Sequence, residues 1–392
     1  MATSPAAIIP ASHYTHTQLA QILGRNQGSE LFFQQPFVPL TAPFINKPMN
    51  VTRPWQALHL IFRGRVTIGV ANYAVVAAEA PQTILQRVRL NGTHNVFGSV
   101  VPIDMTGATM FAWTRLFRLR SPSLYINGVR QPDPNVPFQQ IGATFGNVGF
   151  YDLEIHYYLP LVPILPPSSK LSSIPYMYMG KNWGDSLQLQ LFMGDLTSFG
   201  TPGVGTTVAF SAFGSNLGSP TITVNQVFEI LGPLEPNVDP GLVVRSSQNV
   251  TAGMTAAGNT LQIALLQKKK MSNLLIKTGN LLAGTSGGIS VFQNLLDNML
   301  DFTQPTVDNK PIRNNTNNFA AKEHAGFVFA TILPQGYLNF TYVDSMSPLT
   351  AYRGDQVEGA STFAIFTNVL TSGAQQAVEV LQEQIFGDAT VK

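Results

Sequence analysis

The chain has 392 residues, which is enough for two domains that each bury a core. Its 23 lysines and arginines nearly balance 21 aspartates and glutamates, which excludes a strong field that would steer nucleic acid, and the lack of cysteine excludes disulfides and thiolate metal sites. Charged residues make up 11% of the chain, whereas about 25% is usual in globular proteins. This shortage predicts a surface that neighbouring subunits cover, because interface cores are depleted in charge.

The first 29 residues form a candidate N-terminal arm, since they precede the first strand pattern. Thr17–Leu23 is a candidate short amphipathic helix within this arm. Met1–Ser12 lacks the charged start and apolar core of a secretory signal, which predicts a cytosol-like compartment.

Alternation of apolar and polar residues predicts half-buried strands through the first half of the chain. The pattern is longest at Leu60–Val70 and Tyr151–Leu159, and shorter runs cover Leu187–Leu191 and Ile222–Ile230. Turn-forming residues, 33 glycines and 27 prolines, separate the short apolar runs along the whole sequence. This organisation is typical of an all-β chain.

A proline-rich boundary follows the first block of strands. Leu231–Gly241 contains three prolines and two glycines, so we interpret residues 233–241 as a stiff linker. The first domain would then span residues 30–232, and the second would span residues 242–392.

The second half continues the strand pattern at Leu338–Tyr342 and Phe363–Val369. Apolar residues at helical spacing after Ser290 predict a helix over Val291–Leu300. Ala377–Phe386 fits either a helix or a strand. Two successive blocks of short strands indicate two sandwiches or barrels, without specifying their topology.

Four segments share their order and local sequence with strands of one known family. They are Phe32–Leu40, Thr83–Leu90, Tyr151–Asp195 and Phe327–Asp344. They resemble segments of the double jelly-roll major capsid proteins of tectivirus-type, membrane-containing phages and viruses. In order, the counterparts are the first strand, an early strand of the first roll, strands F and G with the crossover between them, and a part of the second roll. Ala377–Phe386 lies where that family has its last strand, which favours a strand there.

The resemblance implies an all-β protein of two tandem eight-stranded antiparallel jelly rolls with a few short helices. It also implies a structural subunit and not an enzyme. The subunit would form homotrimers of pseudo-hexagonal outline, which build an icosahedral shell around an internal membrane. Its partners would be penton and minor capsid proteins. The arm would lie near that membrane, which makes Leu19, Ile22 and Leu23 candidate membrane-proximal residues. The expected location is the virion, preceded by the host cytoplasm.

A basic and aromatic group of residues is the best candidate for a contact surface. It consists of Trp113, Arg115, Phe117 and Arg118. Arginine and aromatic side chains are both enriched at interfaces, so we interpret this group as an intersubunit or inter-roll contact in preference to a nucleic-acid or lipid site.

No catalytic, metal or cofactor signature accompanies these features. Asp152 with Glu154 and Glu379 with Glu383 are carboxylate pairs of the kind that hydrolases use, but we assign both pairs to wet strand faces. His156 belongs to the same polar strand face as Asp152, and the six histidines do not converge in sequence as metal ligands do. We therefore expect no cofactor and no specific nucleic acid.

The alternative function is sugar binding by a β-sandwich, as in a lectin or a receptor-binding spike. In that case, exposed aromatic residues such as Trp55, Trp113 and Trp183 would line a groove.

Overall fold

The computed structural model describes two blocks of β-structure and one helix between strands of the first block. The described residues are 9–10, 26–36, 44–49, 57–69, 84–95, 97–116, 122–131, 148–161, 186–194, 208–230, 238–239, 244–254, 260–264, 270–281, 292–295, 300–307, 310–311, 316–317, 322–323, 326–327, 329, 331–341, 352–353, 361–367 and 376–386. The helix predicted at Thr17–Leu23 lies outside these residues.

The first block contains two antiparallel sheets. Its elements and the preceding short strand are β1 (Ile9–Pro10), β2 (Asn26–Pro36), β3 (Phe44–Pro48), β4 (Ala57–Ile68), β5 (Leu85–His94), β6 (Gly98–Thr106), α1 (Gly107–Leu116), β7 (Ser123–Ile126), β8 (Val129–Arg130), β9 (Gly149–Pro160), β10 (Gln188–Met193), β11 (Val208–Ser211) and β12 (Thr221–Ile230). One sheet has the order β3-β10-β5-β6, and the other has the order β2-β12-β4-β9-β7-β8, with β11 beside β4. The four strands predicted by alternation in this half are confirmed as β4, β9, β10 and β12.

The core of the first block lies between its two sheets. Strand β4 alternates buried and more exposed residues from Leu58 to Ile68, and β9 and β10 follow the same alternation. Because successive side chains point to opposite faces of a sheet, each sheet directs one apolar row inward. Leu60 and Ile155 from one sheet and Val88 and Leu191 from the other belong to the same buried cluster.

Helix α1 follows β6 directly. The backbone N–H of Thr109 donates to Oγ1 of Thr106 over 3.2 Å, so Thr106 caps the first turn. Arg115 in the last turn suits the negative end of the helix dipole, and its guanidinium lies 5.0 Å from the centre of the Phe111 ring. Most of the helix is buried, including Met110 and Trp113.

The second block also has two sheets. Its strands, with the short strand before them, are β13 (Val238–Asp239), β14 (Val244–Met254), β15 (Thr260–Ala264), β16 (Lys270–Leu281), β17 (Phe292–Leu295), β18 (Leu300–Val307), β19 (Lys310–Pro311), β20 (Thr316–Asn317), β21 (Tyr337–Thr341), β22 (Tyr352–Arg353), β23 (Ser361–Thr367) and β24 (Gln376–Phe386). One sheet has the order β14-β24-β16-β17, with β21 and β22 beside β16, and the other has the order β15-β23-β18-β19, with β20 beside β18.

The strands predicted at Leu338–Tyr342 and Phe363–Val369 are confirmed over their described residues as β21 and β23, and two further predictions in this half have clear outcomes. Ala377–Phe386 is a strand, as the resemblance indicated. The helix predicted over Val291–Leu300 is wrong for Phe292–Leu295, which pairs with β16 as β17. The spacing of Phe292 and Leu295 fits a helix, but this segment instead forms antiparallel backbone pairing with β16.

Each block forms its sheets from its own strands. The described strands of residues 26–230 pair with one another, and those of residues 244–386 pair with one another. Strand β2 begins at Asn26, four positions before the boundary expected at residue 30. Within the expected linker, β13 pairs in parallel with β1.

Candidate functional site

One sheet of the second block is buried on both faces, and one of those faces packs against the first block. Residues 377–384 of β24 are all buried, although a strand has two faces. The second-block residues that belong to the same buried cluster as the first-block core are Leu275, Phe329, Leu333, Tyr337, Ala377 and Leu381. Val378 and Val380 lie on the opposite face of β24, pointing away from the first block.

A carboxylate of β24 receives two hydroxyl groups from the first block. The hydroxyl oxygens of Thr106 and Thr109 each lie 2.8 Å from Oε1 of Glu379, and each can donate to it. The two hydroxyl oxygens lie 2.7 Å from one another. Thr106 therefore serves both as the cap of α1 and as part of the contact with the second block.

The other oxygen of this carboxylate forms an ion pair inside the second block. Nζ of Lys277 lies 2.6 Å from Oε2 of Glu379, and both side chains are at most 1% exposed. Strands β16 and β24 place these residues directly opposite one another. Removing one member of a buried ion pair leaves an uncompensated charge, which costs about 3–5 kcal/mol.

A second carboxylate of the same face binds the helix one turn further on. Nε1 of Trp113 donates to Oε1 of Glu383 over 2.7 Å, and both side chains are fully buried. Thr109 and Trp113 are four residues apart on α1, and Glu379 and Glu383 are four residues apart on β24, so each pair shares one face of its element. The helix and the strand thus meet at two points.

Strand β6 adds further polar contacts. The backbone N–H of Asp104 donates to Oγ of Ser247 over 2.7 Å, which joins β6 to β14 of the second block. The Asp104 carboxylate accepts two hydrogen bonds from Arg87, at 2.6 and 2.8 Å. These bonds raise the pKa of the Arg87 guanidinium, and the negative charge of Glu379 adds to that effect. The Arg87 guanidinium therefore stays charged at this boundary.

We call this set of residues the inter-block contact. It comprises Arg87, Asp104, Thr106, Thr109, Trp113, Ser247, Lys277, Glu379 and Glu383. Because donors and acceptors come from separate blocks and depend on direction, the contact fixes the orientation of one block against the other. Apolar packing alone would leave that orientation less specific.

The residues predicted from sequence are only partly in this contact. Trp113 is there, while the Arg115 side chain is half-buried against its own helix. Phe117 and Arg118 lie outside the described residues, as do Leu19, Ile22 and Leu23 of the arm.

The prediction that Glu379 and Glu383 lie on a wet strand face is wrong. Both are at most 1% exposed, because the face that carries them is covered by the first block. In a free sheet, alternation of valine or leucine with glutamate places the acid in water, so no local signal in the sequence marks these two residues as buried. The sequence analysis did not identify Thr106, Thr109 or Lys277 either, because their burial also depends on contact between the two blocks.

The other carboxylate pair does lie on a partly exposed strand face. Asp152 accepts two hydrogen bonds from Arg65, at 2.7 and 2.9 Å, and Glu154 accepts one from Arg63 at 2.6 Å. His156 is more than a neighbour on that face, since its Nε2 lies 2.7 Å from Oε1 of Glu154. The arrangement is a ladder of cross-strand pairs between β4 and β9.

A metal centre, a membrane-spanning helix and an open sugar groove are the other kinds of site that the described residues could form. Within the described ranges, no three histidine, aspartate or glutamate side chains are grouped so that they could hold a metal ion. No helix in the part of the chain that the structure describes is long and apolar enough to cross a membrane. Trp113 is fully buried, so it cannot line an open sugar groove, and Trp55 and Trp183 lie outside the described residues.

Comparison with solved structures identifies the fold. The crystal structure of the STIV major capsid protein matches with a TM-score of 0.58 at 10% identity, covering 93% of this chain and 98% of that chain. The PBCV-1 virus capsid matches with a TM-score of 0.53 at 10% identity, covering 92% of this chain and 93% of that chain. The major capsid protein P2 of bacteriophage PM2 matches with a TM-score of 0.51 at 8% identity, covering 93% of this chain and 99% of that chain. No family model and no curated protein matches the sequence. The chain has the fold of two tandem antiparallel jelly rolls, and these structural neighbours are double jelly-roll major capsid proteins.

Proposed function

We propose that the chain is the major capsid protein of a virus, a structural subunit without catalytic activity. It would form homotrimers with a pseudo-hexagonal outline, and these would tile an icosahedral shell. The single observation that carries the proposal is a double jelly roll over nearly the whole chain, whose two rolls are joined through buried hydrogen bonds.

The inter-block contact supports this proposal on physical grounds. Three double rolls give six lobes only if each pair of rolls is held side by side at one fixed angle. The bonds of Glu379 and Glu383 to α1 are directional and buried, so they oppose rotation of one roll against the other. A hinge at this position would make the outline variable and would prevent regular tiling.

The composition supports assembly as well. Charged residues are 11% of the chain and aromatic residues are 10%. Large homomeric interfaces favour this balance, because their cores are poor in charge and rich in aromatic residues. Weak contacts that are repeated over many copies also give a shell that corrects errors while it assembles.

We further propose the virion as the location, reached from the host cytoplasm, with penton and minor capsid proteins as partners. The arm over residues 1–29 would face an internal membrane through Leu19, Ile22 and Leu23. A chain that lacks residues 1–25 should still form trimers but should fail to enclose a normal membrane vesicle. Normal vesicle packaging by the shortened chain would contradict the role of the arm.

The oligomeric state tests the proposal most simply. Multi-angle light scattering of the purified chain at micromolar concentration should give three times the 42.5 kDa chain mass. The same protein at high salt should remain trimeric, since a mainly apolar interface is weakly sensitive to ionic strength. A monomer at all concentrations up to the micromolar range would contradict the capsomer.

A further inference from the structure

The outer face of the larger first-block sheet carries a series of hydrogen-bonded side chains that ends in two histidines. Nε2 of His59 on β4 lies 2.9 Å from Nδ1 of His156 on β9. Nε2 of His156 lies 2.7 Å from Oε1 of Glu154, whose other oxygen accepts a hydrogen bond from Nε of Arg63 at 2.6 Å. The rings of His59 and His156 are stacked, with their centres 5.2 Å apart.

The positions of the hydrogens in this series of side chains follow from the chemistry of the groups. A carboxylate only accepts hydrogen bonds, so Nε2 of His156 carries a hydrogen that points at Glu154. The contact between the two imidazoles needs one hydrogen between Nε2 of His59 and Nδ1 of His156. One added proton keeps this hydrogen bond, because the neutral ring still offers an acceptor to the charged ring. Protonation of both rings would place N–H against N–H across 2.9 Å and would bring two positive rings together. The hydrogen bond between strands would then become a repulsion.

We propose that the His59–His156 pair is an acid-sensitive switch in the outer wall of the first jelly roll. At neutral pH the pair joins β4 to β9. In mildly acidic solution, protonation of the whole pair turns this contact into a repulsion and loosens the pairing of the two strands.

Among the described residues of this face, both carboxylates already have positively charged partners. The charged and titratable groups on this face of β4, β7, β8 and β9 are Arg63, Arg65, Tyr125, Arg130, Asp152, Glu154 and Tyr158. The two carboxylates already pair with Arg65 and Arg63. Across β4 from the other side, β12 presents Asn225 opposite His59. Three arginines and two carboxylates give this set a formal net charge of +1 before the histidine pair is protonated, so further positive charge is unfavourable.

The titration of His59 agrees with this direction. Burial lowers the pKa of His59 below 6.5, and the neighbouring His156 lowers it further. The folded chain thus binds fewer protons here than the unfolded chain does. The contribution of this group to stability is complete above pH 6.5 and is lost as the pH falls from 6.5 through the lower pKa of the folded state.

The acidic groups of the same face act in a separate window. Arg65 lowers the pKa of Asp152 below 3.8, and the pKa of Glu154 is lowered below 4.5, where the bonds to Arg63 and His156 outweigh an opposing effect of burial. Losses from these carboxylates begin only at more acidic pH than the loss from His59. The two effects can therefore be separated by choosing the pH of the measurement.

The switch would act locally. Strand β4 pairs with β9, β11 and β12, and its opposite face supplies Leu60 and Phe62 to the core. The inter-block contact lies beyond that core, on the side of the smaller sheet. Acid would therefore loosen the outer wall before it affects the contact between the two rolls.

Hydrogen–deuterium exchange of the full chain tests the switch. We would compare the unaltered chain, His59→Gln and the control His94→Gln at about pH 7.5 and about pH 5.5, with rates corrected for the intrinsic effect of pH. His94 is buried against Phe97 and takes no part in the pair. The unaltered chain and His94→Gln should exchange about tenfold faster in β4 and β9 at the lower pH, whereas His59→Gln should not.

Three outcomes would overturn the proposal. Equal acid acceleration in His59→Gln and the unaltered chain would assign the effect to other groups. No acceleration in the unaltered chain would remove the effect altogether. Equal acceleration in β16 of the second block would indicate general unfolding. If His59→Gln does not fold, His156→Gln removes the same contact and carries the same expectation.

Discussion

Nε1 of Trp113 and Oε1 of Glu383 are joined by a buried hydrogen bond of 2.7 Å, although the two residues are 270 positions apart in the sequence. The bond links the helix of the first jelly roll to the last strand of the second. Its length is typical of a well-formed hydrogen bond, and its burial removes competition from water. The orientation of the two rolls therefore depends on a few identifiable side chains.

Trp113→Phe tests the bond itself. The phenyl ring keeps most of the packing but removes the indole N–H, so we expect a loss of about 1.5–3 kcal/mol in the free energy of unfolding. Denaturation of Trp113→Phe, of Glu383→Leu, which removes the acceptor, and of the double variant at one protomer concentration forms a double-mutant cycle. The cycle should give a coupling energy of about 0.5–3 kcal/mol. Strictly additive effects would contradict a direct bond.

Glu379→Gln tests the buried ion pair. The change keeps an acceptor for the two threonines but leaves the charge of Lys277 buried and uncompensated, so we expect a loss of about 3–5 kcal/mol. Glu323→Gln, at an exposed glutamate, is the control and should change stability by less than about 0.5 kcal/mol. Thermal melting of both variants measures the difference, and equal melting temperatures would contradict the role of Glu379.

Thr109→Val separates a bond between blocks from a bond within the helix. Thr109 donates to the charged Glu379, whereas Thr114 donates to the backbone carbonyl of Met110, and both threonines are buried in α1. We expect Thr109→Val to cost about 1.5–3 kcal/mol and Thr114→Val to cost about 0.5–1.5 kcal/mol. Urea denaturation measures both, and a larger effect for Thr114→Val would argue against the inter-block contact.

Asp152→Asn tests how one carboxylate holds a loop. Oδ1 of Asp152 accepts hydrogen bonds from the backbone of Gly214 at 3.0 Å and from Arg65, which in turn binds Asn216. We expect faster hydrogen exchange across residues 212–218 in Asp152→Asn, and unchanged exchange there in Glu154→Gln.

The same carboxylate has a defined pH dependence. Because hydrogen bonds from Arg65 lower the pKa of Asp152, its contribution is present above pH 3.8 and is lost as the pH falls through the lower pKa of the folded state. Loop exchange should therefore accelerate in acid in the unaltered chain and stay constant in Asp152→Asn. Parallel pH profiles for the two proteins would rule out Asp152 as the anchor.

Gly64→Ala tests close packing in the first roll. A Cβ at Gly64 would lie 2.9 Å from both Phe62 and Pro220, closer than real Cβ contacts, so the backbone or these rings must shift. We expect a loss of about 1–3 kcal/mol. Gly326→Ala is the matched control, since its Cβ would meet its nearest neighbour at 3.7 Å. Melting temperatures that do not differ between the two variants would contradict this packing.

The first roll was largely predictable because most of its strands have one wet face. In β9, polar residues such as Asp152 and Glu154 alternate with buried Leu153 and Ile155, which indicates both the strand and its buried side. Such a pattern follows from local contact with water, so it is visible in the sequence.

The residues of the inter-block contact could not be identified from the sequence, because the elements that carry them lack a wet face. Helix α1 is buried on most sides, so its residues show no amphipathic period, and the sequence left open whether Trp113 and Arg115 form an intersubunit or an inter-roll contact. Strand β24 is buried on both faces, so Glu379 and Glu383 looked exposed. Burial of this kind depends on residues more than 200 positions away in the sequence, and no local pattern records it.

The outline of the assembled protein tests the central claim most directly. Electron microscopy of the purified chain should show particles with six lobes in a near-hexagonal outline, two lobes for each of three chains. Images that show single double rolls, or trimers in which the two lobes of a chain take many relative angles, would contradict a rigid capsid subunit.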